Sequence, residues 1–118
     1  MASIPPLDRE MASRYLVQLP GWGLREDPDR VERSFSFPDD GMVENFIARL
    51  EALFRNEGHK GTIRRTGTAC TVSFRSEAIG GLHENDFIMA AKVNGMADEP
   101  YIPASASMGD ISPTARRA

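Results

Sequence analysis

The chain has 118 residues, 41% of them hydrophobic, enough for one domain that buries its own core. Its 14 Lys and Arg stand against 17 Asp and Glu, for a net charge of −3, with two His and one Cys. One Cys excludes an internal disulfide, the few His and Cys cannot furnish a usual structural zinc site, and net acidity disfavours a dedicated nucleic-acid binder.

Residues 7–19 read as a short amphipathic helix. Leu7, Met11, Tyr15, Leu16 and Leu19 recur at helical spacing between Pro5-Pro6 and Pro20-Gly21. Residues 22–25 and 31–37 read as a hairpin across the Asp27-Pro28-Asp29 turn, the second strand alternating Val31, Arg33, Phe35 and Phe37 with Glu32, Ser34 and Ser36. Asp39 or Asp40 then caps the best helix, whose stripe is Met42, Val43, Phe46, Leu50, Leu53 and Phe54, and Gly58 ends it. Strands follow at 62–65 and 69–75, joined through Thr66-Gly67-Thr68, with Cys70, Val72 and Phe74 on one side. After the Gly80-Gly81 turn a last helix spans about 84–93, with Phe87, Ile88, Ala91 and Ala90 directed inward. The order is α-β-β-α-β-β-α. From Gly95 the pattern fails, so residues 1–95 are expected to form the domain and 96–118 a flexible tail, with Tyr101-Ile102 as its one apolar anchor.

Three motifs then carry a resemblance: Leu19-Pro20-Gly21-Trp22, Glu32-Arg33-Ser34-Phe35-Ser36-Phe37 and Gly80-Gly81-Leu82-His83-Glu84-Asn85-Asp86. In this order and spacing the chain resembles the pterin-4a-carbinolamine dehydratases over residues 7–95. The resemblance implies an α+β fold, a four-stranded antiparallel sheet with three helices on one face, assembled as a homodimer or homotetramer. It also implies an active site of a His-His-Pro run after the second helix, a third His 18 residues beyond the first, and an Asp in the last helix. Here His59 and Asp86 match, while Lys60 stands at the second His, Gly61 at the Pro and Glu77 at the third His. The family's aromatic on the following strand falls on Gly67, and its acidic residue four before the first His falls on Arg55.

Dehydrating a 4a-hydroxy-tetrahydropterin needs a proton donor at the departing hydroxyl and an acceptor at a ring nitrogen, both working near neutrality. Histidine ordinarily titrates there; lysine and glutamate do not. Lys60 and Glu77 are expected to pair with each other as an ion pair, and Gly67 offers no wall for a flat heterocycle. Dehydratase activity is therefore expected to be vestigial, and pterin binding weak.

The residues also have plainer readings. His59 reads as a cap histidine at a helix C-terminus, Asp86 as first-turn dipole compensation, His83 as a surface residue and Cys70 as core. Arg64, Arg65 and Arg75 lie on strands, with Arg65 and Arg75 expected to share a face, and arginine suits carboxylates at an interface. With Tyr101 they are the partner-binding candidates. The leading expectation is a non-catalytic binding or assembly protein. It resembles the degenerate branch that accompanies α-carboxysome operons, whose client is RuBisCO, here the large subunit. The alternatives are a weak or altered dehydratase using His59 and Asp86, and a transcriptional or dimerisation cofactor. No cofactor, metal, nucleic acid or membrane is expected. Residues 1–7 show no signal-peptide pattern, so the expected location is cytoplasmic, with carboxysome association following from the same resemblance.

Overall fold

The computed structural model describes residues 6–97. Helix α1 (Arg9–Leu16) begins where the Asp8 carboxylate accepts from Met11 N at 2.9 Å, satisfying one of the free first-turn donors. It is shorter than the 7–19 expected. Beyond it the chain folds through successive turns that place Leu19 and Trp22 in the core. Its phase also differs: Ala12 is buried, while Met11 is exposed.

Strands β1 (Gly23–Arg25) and β2 (Arg30–Ser36) form the first hairpin. Helix α2 (Asp40–Glu57) starts at Asp39, whose carboxylate accepts from Met42 N at 2.8 Å, and ends at Gly58 in the left-handed conformation. It buries Val43, Phe46, Leu50 and Phe54, the core of the expected stripe. Strands β3 (Thr62–Thr66) and β4 (Ala69–Phe74) form the second hairpin, and a single 3-10 turn at Glu77–Ile79 leads to α3 (Glu84–Ala97).

The four strands form one antiparallel sheet in the order β1-β2-β4-β3. The fold is therefore α+β with the expected element order. The register sets Phe35 and Arg65 opposite Cys70, Arg33 and Ile63 opposite Val72, and Val31 opposite Phe74. Because strand side chains alternate faces, these residues share the side that the helices cover. Phe46 of α2 packs between Phe35 and Phe37, with centroids 4.7 and 5.0 Å away. Such pairs contribute about 0.5–1.5 kcal/mol each beyond the area they bury. The opposite face carries Glu32, Ser34, Thr62, Arg64, Thr71 and Ser73, and is polar apart from Ala69 at the hairpin end of β4.

Helix α3 corrects two expectations. It buries Asp86, Phe87, Met89, Ala90 and Val93, while Ile88 and Ala91 face outward. Residues 87–91 are apolar at every position, so periodicity alone left the phase open. The helix also runs through Gly95 to Ala97, past the expected end at 93 and the boundary drawn at 95, because Met96 and Ala97 still pack on the core. The rest of the expected tail, Tyr101 included, lies outside the described residues.

Candidate functional site

The C-terminus of α2 places His59. Gly58 turns the chain so that its own N–H and that of His59 both reach the Phe54 carbonyl, the second at 3.3 Å. The imidazole then lies against the ring of Phe74, 28° from parallel with centroids 6.0 Å apart, and its Nε2 stands 3.1 Å from Asp86 Oδ1. Phe74 in turn packs on Trp22 and Phe54, so the histidine rests on the aromatic core.

Asp86 is fully buried in the first turn of α3. Its Oδ2 accepts from Ser76 Oγ at 3.0 Å and from His83 N at 2.9 Å, while His83 Nδ1 accepts from Asn85 N at 3.1 Å. This is a capping box in which histidine takes the usual Ser/Thr place: the cap side chain serves the helix, and the residue three on reaches back to the cap's N–H. His83 is thus a structural cap and not the plain surface residue expected. Asp86 compensates the dipole as expected, and it also orients His59. A carboxylate only accepts, so Nε2 of His59 carries the hydrogen and Nδ1 is the nitrogen left to exchange a proton.

Lys60 and Glu77 do not form the expected ion pair. Glu77 reaches out from the 3-10 turn, its side chain 83% exposed, with its Oε2 3.8 Å from Arg75 Nη1. Lys60 has no hydrogen bond or ion pair among the described residues. Both line a cleft of 870 Å³ with His59, Arg64 and Arg75. A second hollow of 480 Å³, lined by Arg55, shares His59 and Lys60 with it.

The strand arginines divide differently from the expectation. Arg65 is opposite Cys70 on the covered side, where it meets Asp40 at 3.0 Å and Glu44 at 3.4 Å on the first turns of α2. Arg64 and Arg75 line the cleft on the open side, so they share a face and Arg65 does not. The register decides this, because the β3–β4 loop has only two residues, Gly67 and Thr68.

Gly67 is also far from His59. It sits at the opposite end of β3 with φ +62°, and the first residue of a two-residue hairpin loop often requires that left-handed backbone. The aromatic neighbour of His59 is instead Phe74. Gly61, at the family's Pro position, lies so close to Phe74 that an added Cβ would be 2.5 Å from the ring and 2.9 Å from the Ser73 carbonyl. Sequence reasoning passed over Ser76 and Phe74 as parts of this site. Only the spacing of His83 and Asp86 carried a readable signal, that of a capping box.

A family profile described as Pterin 4 alpha carbinolamine dehydratase matches residues 5–96. This chain belongs to the pterin-4a-carbinolamine dehydratase family. A protein of Azoarcus sp. strain BH72, named provisionally as a pterin-4-alpha-carbinolamine dehydratase, is 45% identical over 96 residues, covering 81% of this chain and 82% of its own length. A relative of the same provisional name from Cupriavidus pinatubonensis is 43% identical over 94 residues, covering 80% and 81%. Among solved structures, a transcriptional coactivator/pterin dehydratase from Brucella melitensis superposes with a TM-score of 0.72 at 24% identity, covering 78% of this chain and 98% of that one. A pterin dehydratase-like protein identified as a RuBisCO assembly factor in the alpha-carboxysome superposes with a TM-score of 0.58 at 20% identity, covering 68% and 93%. At these identities the two structures speak for the shared fold.

Proposed function

We propose that this member of the pterin-4a-carbinolamine dehydratase family is a binding and assembly protein that has given up the dehydration. The observation that carries this reading is the state of the cleft. His59 is its only imidazole, with one nitrogen committed to Asp86, while an amine, Lys60, and a carboxylate, Glu77, stand apart where the resembling enzymes carry two more imidazoles. One ring nitrogen cannot protonate the departing hydroxyl and deprotonate the pterin ring at the same time. Loss of one cooperating acid–base group costs on the order of 10²–10⁴-fold, and two are gone.

The client we propose is the large subunit of RuBisCO, by likeness to the assembly factor that shares this fold. Self-association into a homodimer or homotetramer is supported by the sheet's outline. Strand β1 covers only Arg30, Val31 and Glu32 of β2, which leaves one backbone edge of residues 33–36 unpaired among the described residues. Such an edge is a ready template for a second copy. A cytoplasmic, carboxysome-associated location belongs to the same proposal.

A second reading has its own support: the His59–Asp86 pair is intact, so the site could run the dehydration slowly. Two assays separate them. Purified protein is incubated with 4a-hydroxytetrahydropterin, and the expected rate equals the uncatalysed one. A rate that falls on His59→Ala would favour the second reading, and a rate matching an intact family member would overturn the first. Co-expression with a cognate carboxylase is expected to raise the yield of assembled holoenzyme, and an unchanged yield counts against the client.

A further inference from the structure

The two hollows either side of His59 are rimmed by cations that the fold does not use. Arg55 at the end of α2, Lys60 in the following loop and Arg64 on β3 have no hydrogen bond or ion pair among the described residues. Most other described cations are occupied. Arg9, Arg14, Arg25, Arg30, Arg65 and Lys92 each hold a carboxylate, and Arg33 binds Asn94 and the Pro20 carbonyl. Arg75 adds a fourth charge to the rim, partly offset by Glu77, and two further carboxylates, Asp27 and Glu51, line the hollows, so the cations outnumber the acids among the groups not paired elsewhere. This concentration stands out on a chain whose net charge is −3. It also coincides with two departures from the family pattern, since Arg55 replaces an expected acid and Lys60 an expected His.

We infer that this rim is the contact surface for an acidic, extended segment of a partner protein, whose carboxylates are taken by Arg55, Lys60 and Arg64. The shape favours a chain over a small anion. The hollows of 870 and 480 Å³ are neighbours that share His59 and Lys60 as walls, and the cations come from α2, the loop and β3 in succession. They form a track and not the single enclosed pocket that a small ligand needs. Strand β3 is the sheet's outer strand and pairs only with β4 among the described residues, so its other edge is open to an extended backbone. Arginine's planar fork suits a carboxylate, and charge complementarity of this kind fixes register and speeds encounter. The inference rests on the binding-protein reading and names the chemistry of the partner.

The test is fluorescence anisotropy with a labelled decamer of glutamate, and a lysine decamer as control. The full chain is expected to bind the acidic peptide, more weakly as salt rises. The Lys60→Glu/Arg64→Glu variant is expected to lose on the order of tenfold or more in affinity. An Arg9→Glu/Arg14→Glu variant changes charge equally on α1, and its affinity is expected to stay within about twofold. Equal losses in both variants, no binding by the wild type, or displacement of the peptide by stoichiometric inorganic phosphate would each overturn the inference. Carboxylase co-expression keeps the two readings apart: a double reversal that loses the peptide but still raises holoenzyme yield leaves the assembly role standing without this contact. Peptide binding with no effect on yield does the reverse.

Discussion

Asp86 accepts three hydrogen bonds with no exposure to water, from Ser76, from the His83 backbone and from His59. Buried donors left without an acceptor cost about 1–3 kcal/mol each, so this carboxylate is structural as well as chemical. Asp86→Ala is expected to lower unfolding free energy by about 3 kcal/mol, read as a shifted urea midpoint. The same change frees the His59 ring. From sequence, His59 and Asp86 were legible as a matched pair, because both keep the family's residue types. Their environment was not. Nothing in one dimension says that Phe74 would sit under the imidazole, or that Glu77 would turn toward Arg75 and leave Lys60 alone. Those outcomes depend on where a short 3-10 turn points, and no pattern of residue types encodes that direction.

Among the elements, α3 shows how a cap fixes what periodicity leaves open. Its sequence is apolar on several faces, yet its first turn is pinned by His83 and Asp86 and its far end by Asn94, which accepts from Trp22 Nε1 at 2.8 Å and donates to the Pro20 carbonyl. Those anchors decide that Phe87, Ala90 and Val93 face inward and Ile88 outward. The cap is testable. His83→Ala is expected to cost about 1 kcal/mol, while His83→Thr, which restores a common cap side chain, is expected to stay within a few tenths of the wild type in thermal or urea denaturation. At the first residue of α3, Tyr15 donates to Glu84 at 3.2 Å. Burial, then the Glu84 charge, push the Tyr15 phenol up from its ordinary value, which extends that link between α1 and α3 to higher pH. The β3–β4 hairpin makes the complementary point, since its two-residue loop fixes which arginine of each strand meets the helices.

At the scale of the molecule, one sheet has two unlike faces. The covered face holds a continuous core, and Cys70 lies within it, paired in register between Phe35 and Arg65. Burial pushes the Cys70 thiol up, with Arg65 pulling more weakly the other way. Folding thus favours the neutral thiol. That contribution to stability is complete below the thiol's ordinary pKa, about 8.5, and is lost as pH rises through the raised folded value. Two outcomes are expected. A disulfide reagent at pH 8 should modify Cys70 only as fast as the whole sheet opens, so urea accelerates the reaction in step with global unfolding. The urea midpoint should fall above about pH 8.5 more steeply in the wild type than in Cys70→Ala. A thiol that reacts at once in the native protein would contradict the placement of Cys70. The open face is polar, and its charge gathers at the His59 end, where the two proposals made above meet.

What the sequence determined by itself is the order of elements, the cap at Gly58, the choice of Asp39 or Asp40 at the start of α2, the apolar stripe of α2 and the alternation of β2. Each depends on neighbours a few residues away, so spacing and residue type suffice. The family's scaffold motifs are of this kind. The tertiary structure alone decided which arginines share a face, which residue walls His59, and that Glu77 turns to Arg75 and not to Lys60. Those facts turn on strand register and on the direction of one turn, and both are settled by packing between segments distant in the chain.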